Sequence, residues 1–366
     1  MQRQRVCVFL PSLAGGGAER SITIIANGLA DRGIEVTLVL GRATGPYLDM
    51  VRPDVKVVDL GTSSMPRALP RLVRYLRTAA PDALLAAMSH ANVVAAMAHR
   101  LARSQARLVL SERAHMGSVF AEYRDLRMGV TRALMRLTYP WADHVIAVSH
   151  GVAEDLPHQV RVARQRIVTV YNPIIDDTLR RQADAAPTHS WLVNPDVPVV
   201  LAAGRLIAQK DFATLLRAFA QVRQRRPARL LVLGEGELRE PLLALAAQLG
   251  IADDVALPGF EANPFAAMRA ATLFVLSSRF EGLPGVLIQA MACGTPVVST
   301  DCPSGPREVL EDGRWGALVP VGEADALALA MQAALDDPSP PDVRARAAAF
   351  TVEKAVAGYA SALGLH

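Results

Sequence analysis

Two doubly wound α/β domains in series, with parallel sheets facing across a cleft, are the fold class that this sequence predicts. Three observations carry the prediction. Short apolar runs alternate with amphipathic stretches from the N-terminal end onward, the pattern of a parallel sheet covered on both faces. That rhythm breaks near Tyr171-Asn172-Pro173 and resumes at Pro198. The 366 residues also leave room for two full cores.

The first pattern opens with Arg5–Leu10, a short apolar strand. The turn Gly15-Gly16-Gly17 follows, then a helix from Ala18 to Arg32. Strand-like runs recur at Glu35–Leu40, Val55–Val58, Ala83–Ala87, Arg107–Leu110 and His144–Val148, mostly with helical stretches between them. The polar, proline-bearing segment Asp176–Pro198 reads as a linker. The second pattern places strands at Pro198–Ala203, Arg229–Leu233, Val255–Leu257, Leu273–Leu276, Pro296–Ser299 and Ala317–Val319. Helices fit Phe212–Arg225, Leu238–Leu249 and Ala324–Leu335, and the tail from Val343 is helical. The expected division is 1–175, a linker 176–197, 198–350, and a C-terminal helix 351–366 packing back on the first domain. Ligands then belong at the carboxyl ends of the strands.

Composition excludes several classes. With 51% hydrophobic and 20% charged residues, the chain is not disordered throughout. No apolar run approaches the ~20 residues of a spanning helix. The first residues, MQRQRVCVFLPSLAGGG, do not read as a signal peptide, so a cytoplasmic location is expected. A net charge of +4 is too small to argue for bulk nucleic-acid binding. Lys56, Lys210 and Lys354 are the only lysines in an arginine-rich chain, which makes each of them more informative. Cys7, Cys293 and Cys302 have no metal-ligand spacing and read as small buried hydrophobes.

Three stretches carry candidate chemistry. Gly15-Gly16-Gly17, between a strand and a helix, lets a phosphate approach backbone and helix N-terminus, although a tight structural turn explains it equally well. It is neither GxGxxG nor a P-loop, so NAD or a Walker-type nucleotide is not expected. Arg205 and Lys210 lie just past the first strand of the second domain, where two cations suit a diphosphate; a solvated loop is the plainer alternative. Glu281 stands where a strand ends and Gly282-Leu283-Pro284-Gly285 turns into a helix. A carboxylate there accepts sugar hydroxyls and the amides beyond it hold phosphate oxygens, or the carboxylate simply complements its helix dipole. The loop Asp301–Pro306 repeats the geometry one strand later.

Taken in order, GGGAER, GRLIAQK, GEGELR, PGF, EGLPGVLIQAMACGTPVV and the Asp312-Gly313 turn resemble the retaining glycosyltransferases of family 4, which have the GT-B fold. The resemblance covers almost the whole chain. It implies two Rossmann-like domains, the first binding acceptor and the second a nucleotide-sugar, and sugar transfer with retention and without metal or other cofactor. Residue by residue, it implies that Gly15, Gly16 and Gly17 face donor phosphates and sugar, and that Arg205 and Lys210 hold the diphosphate. It places Glu281 at the transferred sugar as the first Glu of an E-x7-E pair. Gly282, Leu283, Pro284, Gly285, Val286 and Leu287 would receive diphosphate, and Gly259 and Phe260 would flank the nucleobase. The second Glu of the pair is replaced here by Gln289, which keeps an acceptor for ribose but loses charge, weakening that bond by ~1 kcal/mol. Relatives carry a histidine near the reacting sugar after a middle strand of the first domain. In this sequence Arg113, His115 and, one strand earlier, His90 compete for that place; Ser89 and His90 also suit a helix cap. UDP is the nucleotide that the resemblance suggests.

Two basic amphipathic stretches complete the picture. In Met65–Ala79, Leu69, Leu72, Val73 and Leu76 share one face and Arg67, Arg71 and Arg74 another. In Tyr123–Tyr139, Arg124, Arg127, Arg132 and Arg136 alternate with apolar residues. Either is an ordinary surface helix or lies on an anionic membrane. The resemblance favours a glycan or polyprenyl-diphosphate-linked acceptor, reached peripherally at the inner face of the cell membrane. A nucleotide-sugar epimerase or hydrolase on the same scaffold is the alternative, but it calls for more cleft carboxylates than the sequence offers.

Overall fold

The computed structural model describes residues 3–365. Residues 1, 2 and 366, the outer ends of the expected first domain and C-terminal helix, lie outside the described residues. The chain divides into two compact units. Ile174–Phe350 forms the second; the described residues up to Pro173 and from Thr351 onward form the first.

The first unit carries β1 (Arg5–Leu10), β2 (Glu35–Leu40), β3 (Lys56–Asp59), β4 (Ala83–Ala87), β5 (Arg107–Glu112), β6 (His144–Ala147) and β7 (Ile167–Thr169). They pair in parallel in the order β3-β2-β1-β4-β5-β6-β7. Chain order reverses between β1 and β4, which makes that junction the topological switch point. Alternate residues Val6, Val8 and Leu10 of β1 point into a core completed by helix Gly17–Asp31 and by the C-terminal helix Val352–Leu363. Helix Gly17–Asp31 buries Ile22, Ile25, Ala26 and Leu29 at i, i+3, i+4 and i+7, the stripe a sheet-covering helix needs. Helix Val352–Leu363 is capped by Thr351, which accepts from the Lys354 amide, and buries Tyr359 completely.

The second unit carries β8 (Val199–Ala203), β9 (Arg229–Leu233), β10 (Val255–Gly259), β11 (Leu273–Leu276), β12 (Val297–Thr300) and β13 (Ala317–Val319). Their order is β10-β9-β8-β11-β12-β13, again parallel, with the switch point between β8 and β11. Helix Phe212–Arg225 shows why such elements form. Asp211 caps it by accepting from the Thr214 amide, Leu215, Leu216, Phe219 and Val222 bury against the sheet, and Arg223 and Arg225 complement the dipole in the last turn.

Several sequence expectations need correction. β3 lies one residue later than Val55–Val58, and the edge strand β7 was not expected at all. The segment 176–197 is no free linker: it folds as helices Asp177–Ala183 and Ser190–Val193 and belongs to the second unit, whose boundary falls at Ile174. These helices bury only Leu179, Ala183 and Leu192, too few apolar positions to reveal a period. The stretch Tyr123–Tyr139 is helical from Leu126 to Thr138 and then turns as a 3-10 segment.

Candidate functional site

The second unit brings two of the expected residues into direct contact at its switch point. Lys210 ends the short 3-10 turn after β8, and Glu281 follows β11. Lys210 Nζ lies 2.6 Å from Glu281 Oε1, with side chains only 15% and 8% exposed. Ser278 Oγ also donates to Glu281 Oε1, at 2.6 Å. Both bonds fall on one oxygen; Oε2 takes none from the described residues. A buried ion pair of this kind is strongly destabilised when one partner is removed, so the two residues act as a unit.

The backbone around the pair is fixed from several sides. Gln209 Nε2 donates to Phe280 O at 2.8 Å, the Arg279 amide donates to Gln209 O at 2.8 Å, and Ser277 Oγ donates to Lys210 O at 2.8 Å. These bonds tie the loop after β8 to the loop after β11. The loop after β12 supports the turn from below: the Glu281 amide donates to Pro303 O at 3.1 Å and Ser304 Oγ to Gly282 O at 2.8 Å. Gly305, at φ +98°, lies so close to Pro284 that a Cβ there would overlap the proline ring. Arg307 pairs with both Asp301 and Asp312 beyond this loop.

Helix Gly285–Ala292 begins at this turn with no side-chain cap. The Leu287 and Ile288 amides bond back to Pro284 O at 3.1 and 3.3 Å. The Gly285 and Val286 amides are therefore the first-turn donors open to a ligand. The Leu287 side chain is fully buried, so only its backbone belongs to this end. Gly282, Leu283 and Pro284 are buried in the turn, while Gln289 is half-buried one turn into the helix. Arg205 is exposed and its side chain makes no hydrogen bond with the described residues. Gly259 ends β10 at φ +101°, and Phe260 beside it is 81% exposed, an unusual position for an aromatic ring.

The expected first-unit residues are more dispersed. Gly15, Gly16 and Gly17 are exposed; Gly15 has φ +114°, and helix Gly17–Asp31 starts with no side-chain cap. His90 is on the first turn after β4, where desolvation holds its pKa below the usual histidine value and the charge of Glu19 opposes the shift. Arg113 donates to Tyr359 Oη at 3.1 Å. His115 caps helix Met116–Glu122, accepting from the Ser118 amide at Nδ1, with Nε2 3.8 Å from Asp155. Both side chains thus hold the fold as well as lining their loop.

Sequence reasoning missed the supports: Gln209, Ser277, Ser278, and Gly204 and Gly234 at the ends of β8 and β9. The glycines stood inside GRLIAQK and GEGELR, and two glycines at successive strand ends were the available signal. The three cysteines are buried and free; burial pushes the Cys302 thiol up to about 12, which keeps it unreactive. Among the described residues, no three His, Cys, Asp or Glu side chains gather as a metal site.

Two Rossmann-like parallel-sheet units, the second with a Lys–Glu ion pair at its switch point, define a GT-B protein. The fold matches Anabaena HepE solved in complex with UDP and glucose, at a TM-score of 0.79 and 23% identity over 99% of this chain and 100% of that one. It also matches sucrose-phosphate synthase from Thermosynechococcus elongatus, at a TM-score of 0.81 and 21% identity over 98% of each chain. Residues 15–178 match the model described as Glycosyltransferase Family 4, and residues 197–337 match Glycosyl transferases group 1. Across 345 residues, 91% of each chain, the protein is 30% identical to the N-acetylgalactosamine-N,N'-diacetylbacillosaminyl-diphospho-undecaprenol 4-alpha-N-acetylgalactosaminyltransferase of Campylobacter jejuni. It is 28% identical to the lipopolysaccharide core biosynthesis glycosyltransferase LpsE of Rhizobium meliloti, over 88% of this chain and 87% of that one. The chain belongs to glycosyltransferase family 4.

Proposed function

We propose that this glycosyltransferase moves a sugar from a nucleotide-sugar, with UDP the expected nucleotide, to a glycan or polyprenyl-diphosphate-linked acceptor, with retention and without a metal, in envelope polysaccharide synthesis. The observation that carries the reading is the state of Glu281. Its Oε1 is engaged by Lys210 and Ser278 while Oε2 takes no hydrogen bond from the described residues, four residues before the uncapped start of helix Gly285–Ala292. An open carboxylate oxygen accepts a sugar hydroxyl; the adjacent amides, with Lys210 and Arg205, meet the diphosphate. Charge on the departing diphosphate grows as the glycosidic bond breaks, and each preorganised donor aimed at it is worth ~2.7–4 kcal/mol of barrier. The Campylobacter relative's name, with its diphospho-undecaprenol-linked acceptor, supports a lipid-linked substrate, and the UDP complex of HepE supports the nucleotide. The test is transfer of labelled sugar from UDP-sugars to a bacterial lipid extract, followed by the anomeric configuration of the product. Label appearing in lipid with the donor's configuration supports the reading; label released only as free sugar points to a hydrolase instead.

Gln289 takes the place of a ribose-binding carboxylate in this reading. Its neutral amide still offers an acceptor to the ribose hydroxyls. Gln289→Ala is expected to raise the donor KM about tenfold, the worth of one lost hydrogen bond, with turnover little changed because ribose contacts barely alter during reaction. Gln289→Glu should keep or improve donor affinity. Unchanged donor KM in Gln289→Ala would mean that the side chain faces elsewhere.

A membrane-facing surface fits the same acceptor. Among the described residues, no helix is long and apolar enough to cross a membrane. Helix Leu126–Thr138 instead exposes Leu126 (85%), Val130 and Leu137. Their i, i+4, i+11 spacing puts them on one face, and Arg124 and Arg127 are exposed nearby. Arg132 and Arg136 are drawn back to Gln159, and on helix Met65–Ala79 Arg71 is tied to Leu60 O. The first helix therefore offers the better docking face. Co-sedimentation with anionic vesicles, weakening with salt and lost in Leu126→Ser/Arg127→Ser, is the expected outcome. Equal recovery in the supernatant for every lipid and salt condition would reject membrane contact.

A further inference from the structure

Glu112, the last residue of β5, is 1% exposed, a rare position for a carboxyl group. It is met by donors on every side. Ser89 Oγ lies 3.2 and 3.1 Å from its two oxygens, Tyr139 Oη donates to Oε2 at 2.6 Å, and the Arg113 amide donates to Oε1 at 2.9 Å. Burial raises its pKa while the hydroxyl and amide donors pull it back. Tyr139 is itself fully buried and accepts from Asn92 Nδ2 at 3.0 Å; the same amide donates to Ser111 O at 2.9 Å.

Ser89 and Asn92 stand in the first turn of helix Ser89–Ala102, directly after Met88. Met88 has φ +80°, which for a residue with a Cβ costs ~1–3 kcal/mol and persists only when its surroundings over-determine it. Here the constraint is visible: Met88 N to Ser111 O at 3.3 Å, Asn92 to Ser111 O, and Ser89 to Glu112 all fasten this turn to the end of β5. His90 follows Ser89 directly, within the same turn that Asn92 closes. Across the switch point, after β1, lies the glycine turn that opens helix Gly17–Asp31, whose Glu19 acts electrostatically on His90.

We infer that Glu112 is a positioning residue: through Ser89 and Tyr139 it locks the strained turn after β4 and so fixes His90 at the switch point of the first unit, where a hydroxyl-bearing acceptor is met. Only the identity of the occupant rests on the proposed function; the coupling of Glu112 to His90 stands on the geometry. A buried carboxyl that merely stabilised the sheet would require neither the strained Met88 nor a bond to the residue next to His90.

The test reads His90 directly, by nuclear magnetic resonance of histidine labelled with carbon-13 at the ring. Among the eight histidines, the His90 signal is assigned by its loss in His90→Gln. Glu112→Gln keeps the side-chain size but turns an NH2 group toward donors, so the His90 signal should shift or broaden while those of His99, His158 and His189 stay in place. Tyr139→Phe, which removes only the hydroxyl, should act the same way and serves if Glu112→Gln does not fold. An unmoved His90 signal in either folded variant overturns the inference, as does a general shift of all the signals. In the transfer assay with lipid extract, Glu112→Gln should lower turnover about tenfold alone and add nothing in a His90→Gln background, the mark of residues acting as one. Equal loss in both backgrounds also overturns it. The resonance arm needs no turnover, so its failure and that of the transferase reading are told apart.

Discussion

Lys210→Ala should lower sugar-transfer turnover by about 100-fold or more, the scale seen when one preorganised donor to a developing charge is removed. The structure adds a second consequence. Lys210 is the partly buried partner of Glu281, at 2.6 Å, and its removal strands a carboxylate that is 8% exposed. Breaking such a pair costs ~3–5 kcal/mol of stability, because one charge is left uncompensated, whereas replacing both partners by uncharged groups of similar volume leaves no stranded charge. Lys210→Met/Glu281→Gln should therefore recover most of the melting temperature lost in Lys210→Ala yet remain inactive. Thermal melts and turnover measured on the same preparations separate the two effects. Near-normal turnover in folded Lys210→Ala, or a double variant less stable than the single, would contradict the role given to the pair.

Gly234→Ala should be the most damaging single methyl group in the second unit. Gly234 has φ +135°, a region closed to residues with a Cβ, and the added carbon would overlap the carbonyl oxygen of Gly204. Neither strand end can yield easily. The Gly204 amide donates to Leu233 O at 2.9 Å and the Gly234 amide to Gly259 O at 2.8 Å, which holds the ends of β8, β9 and β10 side by side. Relief would part β8 from β9 and carry away the loop bearing Arg205 and Lys210. A loss of at least ~3 kcal/mol is expected, about 10 °C in melting temperature for a unit of this size. Gly33→Ala is the control: φ is +81° there, but nothing lies within 4 Å of an added Cβ, so only the left-handed backbone cost of ~1–2 kcal/mol applies. Equal melting temperatures for the two variants would remove the steric argument.

Much of this architecture was legible in the sequence where an element has both a period and a stop signal. Helices Phe212–Arg225 and Met65–Ala79 were read to the residue from their apolar periods; the structure adds that Asp211 caps the first and that the second ends at Ala80 in the left-handed region. The edge strand β7 has three residues and one buried position, which leaves no alternation to detect. Within the site, Lys210 and Glu281 were both visible, one as a phosphate ligand and one as a sugar ligand. Their pairing was not, because 71 residues separate them and only the order of β8 and β11 in the sheet brings them together. Glu112 was hidden for a related reason. It sits directly before Arg113 in the sequence, but the donors that permit its burial, Ser89 and Tyr139, lie 23 and 27 residues away. A polar residue at a strand end announces either a cap or a site, and which one depends on partners that local pattern does not contain.

In the proposed reading, the strand ends of β8 and β11 hold the diphosphate and ribose of a nucleotide-sugar. The most direct measurement is a melting-temperature panel of the wild-type protein with UDP-, GDP- and ADP-sugars and the free diphosphates, repeated with Gln289→Ala. A matching nucleotide at 100 times its dissociation constant should add ~2.7 kcal/mol of stability, with UDP the expected match. Gln289→Ala should need about ten times more ligand for the same shift. No shift with any of the nucleotides, or identical concentration dependence in wild type and Gln289→Ala, would contradict the proposed donor site.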